Sequence, residues 1–550
     1  METLIPKTPS AYDYPLLIKN ILFCPHAYNP EQEIVYQDSV RITYRDMRER
    51  VARLAAALIE LGVKPGDTVA VLDWDSHRYL ECYFAIPMIG AVLHMINNRL
   101  PPEQMIFTIT QAEDKIILVN PEFLPILEQI KGRIDTVEYF VLLANAEEQF
   151  KTSLNIYTTY EELLTSAEPL TEFPDFDENT RATTFYTTGT TGMPKGVYFS
   201  HRQLVLHTLT MMSALAIPAN KSRLHMEDVY MPITPMYHVH AWGIPFIATM
   251  LGVKQVYPGK YLPEMLLKLI VTEKVTYSHC VPTIVNMLLT DPASQNYDLS
   301  HWKVIIGGAA LPRSIAIEAM KRGIDIYCGY GMSETCPVIT VQHLSTKEQA
   351  IPIEERASIL VRTGRPIGLV DLKVVGMDGK ELSSDDKSTG EILARAPWFT
   401  QGYLKDALNS EKLWEGGWMH TQDVARRDAT GSVRITDRIK DVIKVGGEWI
   451  SSLEIEDILC LHPSIAEAAI IGYPHINWGE VPFALVILKA GETLEERALM
   501  KYVNEYIGMG LLPREVILLK IKFVEVIKKT GAGKIDKAEL RRLHLPEQSD

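Results

Sequence analysis

The chain of 550 residues carries 55 Lys and Arg against 69 Asp and Glu, a formal net charge of −14, which removes any electrostatic case for nucleic-acid binding. Hydrophobic residues at 47% and charged residues at 23% are those of a globular protein with enough chain for several domains and a large core. The six cysteines, Cys24, Cys82, Cys280, Cys328, Cys336 and Cys460, form no C-x-x-C pair, and no apolar stretch approaches about 18 residues, so reduced thiols and a cytoplasmic location are expected.

In chain order, residues 43–61 place Val51, Leu54, Ala55, Leu58 and Leu61 on one helical face, with Thr43 as N-cap and Gly62 just past the end. A strand at 67–72 follows, then helix 79–89, strand 115–119, helix 122–130 and strand 137–143. This alternation is the signature of βα units on a largely parallel sheet. The β-prone residues 182–186 lead into a run of hydroxyls and glycines, and residues 201–215 have helical spacing. Strands at 255–257, 275–278, 304–306 and 324–327 then alternate with helices at 262–272, 283–289 and 314–322. From residue 370 onward short strands separated by turns, at 371–375, 390–394 and 432–436, suggest a small β-rich subdomain. Past Arg438 a compact α/β unit is expected, with helices 453–461 and 494–507 and strands 467–472, 483–488 and 521–526. The reading is α/β, with a large N-terminal domain at 1–437, its β-rich subdomain at 370–437, and a small C-terminal domain at 438–550.

The run at 186–197 is built to surround an oxyanion. Thr187, Thr188, Thr190 and Thr191 offer hydroxyls, Gly189, Gly192 and Gly196 let backbone N–H groups approach a ligand, and Lys195 adds a compact cation. It is not a Walker loop. The Gly-Lys pairs at Gly259, Gly379 and Gly533 lack a following Ser or Thr, and no G-x-G-x-x-G occurs.

Further pieces are ordinary turns when taken singly. Gly307, Gly308 and Ala309 follow the apolar strand 304–306, where a flat ring could lie against backbone. Gly329, Tyr330, Gly331, Ser333 and Glu334 follow the next strand, with an aromatic suited to stacking on a base and a carboxylate suited to Mg²⁺. Tyr237, His238, His240 and Trp242 follow another. Asp423 precedes a charged hinge at 437–441 containing Arg438 and Lys440; then come Lys444, Gly446, Gly447 and Trp449, and Lys534 near the end. His238 and His240 stand two apart with no third ligand nearby in sequence, so wall or hydrogen-bonding roles are expected of them rather than metal binding.

In this order and spacing the segments resemble the adenylate-forming superfamily of acyl-CoA synthetases, nonribosomal-peptide adenylation domains and firefly-type luciferases. The resemblance spans essentially the whole chain, and the runs at 235–242 and 446–451 look most like the branch that activates medium- or long-chain fatty acids. It implies that the C-terminal domain is a mobile lid with its hinge at 438–441. It also implies ATP and coenzyme A as co-substrates, a fatty acid as substrate, and Mg²⁺. By position, Thr187 and the loop Thr188 to Lys195 would hold the phosphates, with Thr187 and Glu334 on Mg²⁺; Gly308 and Ala309 with Tyr330 would line the adenine pocket, and Gly329, Gly331 and Ser333 would also belong to the ATP and AMP site. Asp423, helped by Arg438, would hold the ribose. Lys440 would be the hinge residue, and Lys534 would reach the acid and α-phosphate as the catalytic cation alongside Glu334 and Thr187. His238 and Trp242 would border the acid pocket, and Lys444, Gly446, Gly447 and Trp449 the coenzyme A side. A homodimer and peripheral membrane contact stay open expectations of the same resemblance. Carrier-protein loading, an aryl acid, and a nucleotide-binding module without catalysis are the alternatives. Two departures stand out: Gln422 replaces a glycine of the usual Thr-Gly-Asp, which strains it if φ is positive there, and Lys528 replaces a common proline.

Overall fold

The computed structural model describes residues 5–145, 147–148, 150–187, 192–218, 222–376, 378–446, 448–529 and 535–546. They form two compact units, Met1–Asp371 with Arg395–Trp418, and Leu372–Ala394 with Met419–Asp550. No helix among the described residues is long and apolar enough to cross a membrane.

The first unit holds a seven-stranded and a nine-stranded sheet, each parallel through its centre with antiparallel pairing at an edge. The strands Thr68–Leu72 and Lys303–Ile306 are buried at every position, as expected of parallel strands covered on both faces. Met231, Ile233, Val304, Ile306 and Ile326 of the larger sheet pack on Leu266, Leu269, Val285, Leu288 and Ala316 of its helices. The helix Tyr44–Glu60 starts where its cap predicts: Thr43 and Asp46 form a reciprocal capping box, and Gly62 turns the chain at φ +83°.

The strand Val92–Met95 and the helix Pro102–Ala112 have no counterpart in the sequence reading. The strand sits between Thr68–Leu72 and Arg181–Thr187. Its apolar run is broken by His94, a residue that is fully buried here against Asp114 at 2.7 Å. The expected helix at 122–130 is split into a tight turn Pro121–Phe123 and the helix Leu124–Ile130.

The second unit contains a four-stranded sheet and a five-stranded sheet, with the parallel strand Lys520–Phe523 at one side of the latter. Ile443, Val445, Ile450, Ile470 and Val486 pack on Ile455, Leu459, Leu499 and Val503. The sequence reading placed a boundary at 437/438, whereas by compactness the four-stranded sheet groups with the C-terminal residues. The tie is polar. Asp437 accepts from Ser452 N at 2.6 Å and Ser452 Oγ at 2.5 Å, Lys537 Nζ donates to Ser452 Oγ at 2.5 Å, and Arg426 pairs with Glu454 at 3.0 Å. Residues 395–418, read as part of the β-rich subdomain, group instead with the first unit, because the buried Trp398 donates its indole N–H to Thr335 O at 3.0 Å and Thr400 Oγ donates to Tyr198 O at 2.8 Å.

Three helices beside the seven-stranded sheet are joined by Arg50, which reaches Glu81 at 2.7 Å and Glu161 at 2.8 Å. The Glu81 side chain is 0% exposed and also accepts from Tyr160 OH at 2.6 Å. Replacing Arg50 by Ala leaves a buried carboxylate uncompensated, so unfolding of this unit in denaturant should require about 3–5 kcal/mol less.

Candidate active site

Four of the predicted segments leave the carboxyl ends of strands in the first unit, the place where open α/β sheets hold ligands. The hydroxyl-rich run closes a hairpin of Arg181–Thr187 with Lys195–Ser200, Thr187 standing opposite Lys195. Thr188, Gly189, Thr190 and Thr191 lie outside the described residues. Gly192 is exposed and Lys195 half-buried. The helix His201–Ala216 follows directly, capped by Ser200, so the β-prone stretch, the hydroxyl-rich run and the helix come in the order of the sequence reading, with the strand Lys195–Ser200 added before the helix.

Lys195 and Glu334 meet through a residue that sequence reasoning missed. The Tyr403 hydroxyl donates to Glu334 Oε1 at 2.7 Å, and Lys195 Nζ stands 4.7 Å from the centre of the Tyr403 ring. Burial, and then the Glu334 charge, push the phenol well above its ordinary pKa, so it stays a donor. Glu334 itself is 7% exposed in the tight turn Ser333–Thr335. One buried carboxylate and the Thr187 hydroxyl are too few oxygens to enclose a cation. They suit Mg²⁺, which keeps several waters and takes its other ligands from substrate phosphates.

The residues that the resemblance would set around adenine stand at the ends of two neighbouring strands. Gly308 (φ +74°) and Ala309 are exposed beyond the strand Lys303–Ile306; Gly329, Tyr330 and Gly331 end the neighbouring strand Asp325–Gly331 half-buried, with Ser333 just after. At Gly331 only glycine fits, since a Cβ would lie 1.6 Å from Pro337 O.

Beside them the chain makes an unusual turn. Val239, His240, Ala241 and Trp242 all have φ between 46° and 59°, followed by Gly243 at 72°. Left-handed backbone costs about 1–2 kcal/mol per non-glycine residue, and burial offsets it here. His240 Nε2 lies 2.8 Å from Thr183 Oγ, inside a cage of Tyr83, Phe185, Phe199 and Phe246, and burial lowers its pKa to about 3, so the imidazole is neutral. Asp75 anchors the start of the segment by accepting from Met236 N at 2.8 Å and from Tyr261 OH. The turn delivers Trp242, 6% exposed, against Gly307, where an added Cβ would meet Cη2 at 2.9 Å and the Gly329 carbonyl oxygen at 3.1 Å. His238, by contrast, is exposed.

In the second unit Asp423 and Arg438 pair across adjacent strands, Nε to Oδ1 at 3.3 Å, with the carboxylate nearly buried. Gln422 does have positive φ, +60°, as the replaced glycine would allow; its N–H donates to Glu391 Oε1 at 3.1 Å and its side-chain amide reaches the same oxygen at 3.3 Å. Lys440 accepts at its carbonyl from Arg541 at 2.9 Å. Lys444 is opposite Trp449 in a short hairpin, and Gly446 N donates to Trp478 O at 2.9 Å. Gly447 and Lys534 lie outside the described residues.

Because left-handed backbone strains Gln422, Gln422→Gly should melt at or above the wild-type temperature. Gln422→Val, with a branched Cβ at the same φ, should destabilise the second unit by about 1–2 kcal/mol. Thermal unfolding of the two variants reads both.

The AMP-binding enzyme family matches residues 26–404, and the AMP-binding enzyme C-terminal domain matches residues 454–534. A long-chain-fatty-acid–CoA ligase of Thermus thermophilus is 37% identical over 504 residues, covering 91% of this chain and 90% of the relative. A 3-methylmercaptopropionyl-CoA ligase of Ruegeria lacuscaerulensis is 37% identical over 534 residues, 96% of this chain and 97% of its own. Among solved structures, an anthranilate CoA ligase in complex with anthranoyl-AMP shares the fold with a TM-score of 0.80 at 24% identity, over 96% of this chain and 98% of that one. The chain belongs to the AMP-binding enzyme family, within the adenylate-forming superfamily that its motif order resembles.

Proposed function

We propose that the protein is an ATP-dependent, AMP-forming ligase that activates a fatty acid as its acyl-adenylate, releases pyrophosphate and transfers the acyl group to coenzyme A. The observation that carries this reading is the contact of Trp242 with Gly307. It sets a buried aromatic turn suited to an apolar acid directly against the glycine-rich backbone suited to a nucleotide.

The chemistry needs no enzyme nucleophile, because the acid's carboxylate attacks the α-phosphate itself. Two anions must then meet, at a cost of about 4 kcal/mol for a ~4 Å separation in an effective dielectric of ~20. Lys195 and Lys534 supply the opposing charge, Lys195 on the leaving pyrophosphate and Lys534 at the reacting carboxyl. Mg²⁺, when bound by Thr187 and Glu334, would neutralise the phosphates further. Asp423 and Arg438 hold the ribose, while Gly308, Ala309 and Tyr330 take the adenine. Thiolate attack on the adenylate needs other groups around the same carbonyl. A hinge at Lys440 that exchanges Lys534 for the Lys444, Gly446, Gly447 and Trp449 face would provide them.

A fatty acid is favoured by the runs at 235–242 and 446–451 and by the name of the Thermus relative. The name of the Ruegeria relative favours a second reading, a short thioether acid.

A panel of acids from acetate to palmitate, with 3-methylmercaptopropionate and benzoate, scored for AMP release with and without coenzyme A, tests the proposal. CoA-dependent turnover should peak on an aliphatic acid; a thioester formed only on a carrier protein would overturn the acceptor, and no pyrophosphate with any acid would overturn the activity. Lys534→Ala should slow adenylate formation by about 10²–10³-fold while sparing conversion of supplied acyl-AMP to thioester, and equal loss in both halves would sink the exchange of faces.

A further inference from the structure

Residues 398–404 form a strap that touches both charged elements of the phosphate site. Leu404 N donates to Gly196 O at 2.7 Å, and Val197 and Tyr403 form an isolated antiparallel bridge, so the strap is stitched to the strand that begins at Lys195. On its other side Thr400 N donates to Glu334 O at 2.9 Å and Trp398 Nε1 to Thr335 O at 3.0 Å, so the same few residues hold the turn carrying Glu334. Tyr403 is itself pinned, its N–H donating to Ser410 Oγ at 2.8 Å.

From this arrangement we infer that Tyr403 is a positioning residue for the metal and triphosphate, acting through Glu334 by its hydroxyl and through Lys195 by its ring. A lysine and a glutamate close together tend to pair, and a direct pair would take from Glu334 the charge that a cation needs and from Lys195 the charge that a phosphate needs. Tyr403 gives each a different partner. The ammonium lies over the ring face, where the attraction leaves its N–H donors able to turn to an anion. The phenol O–H occupies Oε1 and fixes the plane of the carboxylate, the part that outer-shell donors play for metal ligands.

The inference rests on the proposed adenylation, and its test separates the two. Tyr403→Phe keeps the ring and deletes the hydroxyl; Tyr403→Leu deletes both. Mn²⁺ binding to the protein in the presence of α,β-methylene-ATP, followed by electron paramagnetic resonance, should weaken about tenfold in Tyr403→Phe. Binding of the same analogue without metal, followed by calorimetry, should be unchanged in Tyr403→Phe and weaker in Tyr403→Leu. The melting temperature of Tyr403→Phe should fall by only a few degrees, because a nearly buried carboxylate loses one hydrogen bond while the fold is retained. In the rate assay Tyr403→Phe should raise the Mg²⁺ concentration for half-maximal pyrophosphate release, with most of kcat recovered at saturating metal. Unchanged Mn²⁺ affinity in a folded Tyr403→Phe overturns the inference while leaving the ligase reading intact, and so does a loss of kcat that excess metal does not restore. Should Tyr403→Phe not fold, Thr400→Ser, which keeps Tyr403 and its two contacts, must match wild type in Mn²⁺ affinity, and a tenfold loss there would assign the effect to the strap instead. No pyrophosphate from wild type with any acid fails the ligase reading, whereas the metal-binding comparison still stands on its own.

Discussion

The closeness of Trp242 to Gly307 is the constraint around which the first unit is arranged. A Cβ at residue 307 would stand 2.9 Å from the indole and 3.1 Å from the carbonyl oxygen of Gly329, so three elements share one narrow space: the turn after Val229–Ile233, the end of Lys303–Ile306 and the end of Asp325–Gly331. Holding the indole there takes four consecutive non-glycine residues in left-handed backbone, a conformation that isolated chain avoids. The aromatic cage around His240, its contact with Thr183 and the grip of Asp75 on Met236 together make that strain sustainable. Rigid support behind a strained turn suits the acid-binding wall proposed there, which would have to present a carboxyl to a nucleotide at one fixed place.

Charge placement follows the same economy. With 69 Asp and Glu against 55 Lys and Arg, the proposed triphosphate site needs cations gathered locally and kept from being quenched by the chain's own carboxylates. In the first unit one tyrosine meets both signs, a ring face for Lys195 and a hydroxyl for Glu334. In the second unit the buried carboxylate of Asp437 is met by the backbone and hydroxyl of Ser452, with Lys537 beyond, so the strand that ends at Arg438 is anchored immediately before Lys440.

Much of this was legible before any coordinates. Apolar spacing with Thr43 and Gly62 at its ends marks the first long helix, and the alternation of short apolar strands with helices marks the parallel sheets. Elements were missed where a buried polar residue interrupts the pattern, as His94 does in Val92–Met95; its partner Asp114 lies twenty residues on and pairing it demands the fold. The site segments were legible because glycine, hydroxyl and charged residues cluster at strand ends, where backbone must approach a ligand. Asp75, two residues beyond an Asp at the end of an apolar strand, carried the same signal without being singled out.

What the sequence by itself determined is therefore the α/β architecture and the order of its parts; it names the phosphate-type loop, Glu334 and Asp423 with Arg438 by residue type alone, and Gln422 as strained only should its φ be positive. These depend on residue type and on neighbours within a few positions, where turn and capping chemistry act. The tertiary structure alone decided the partnerships, such as Tyr403 with Glu334 across 69 positions and Thr183 with His240 across 57, together with the left-handed run before Gly243 and the grouping of the four-stranded sheet with the C-terminal residues. The physical reason is that such contacts form only after hydrophobic burial has brought distant strands together, and neither periodicity nor local propensity encodes which distant side chain will be waiting there.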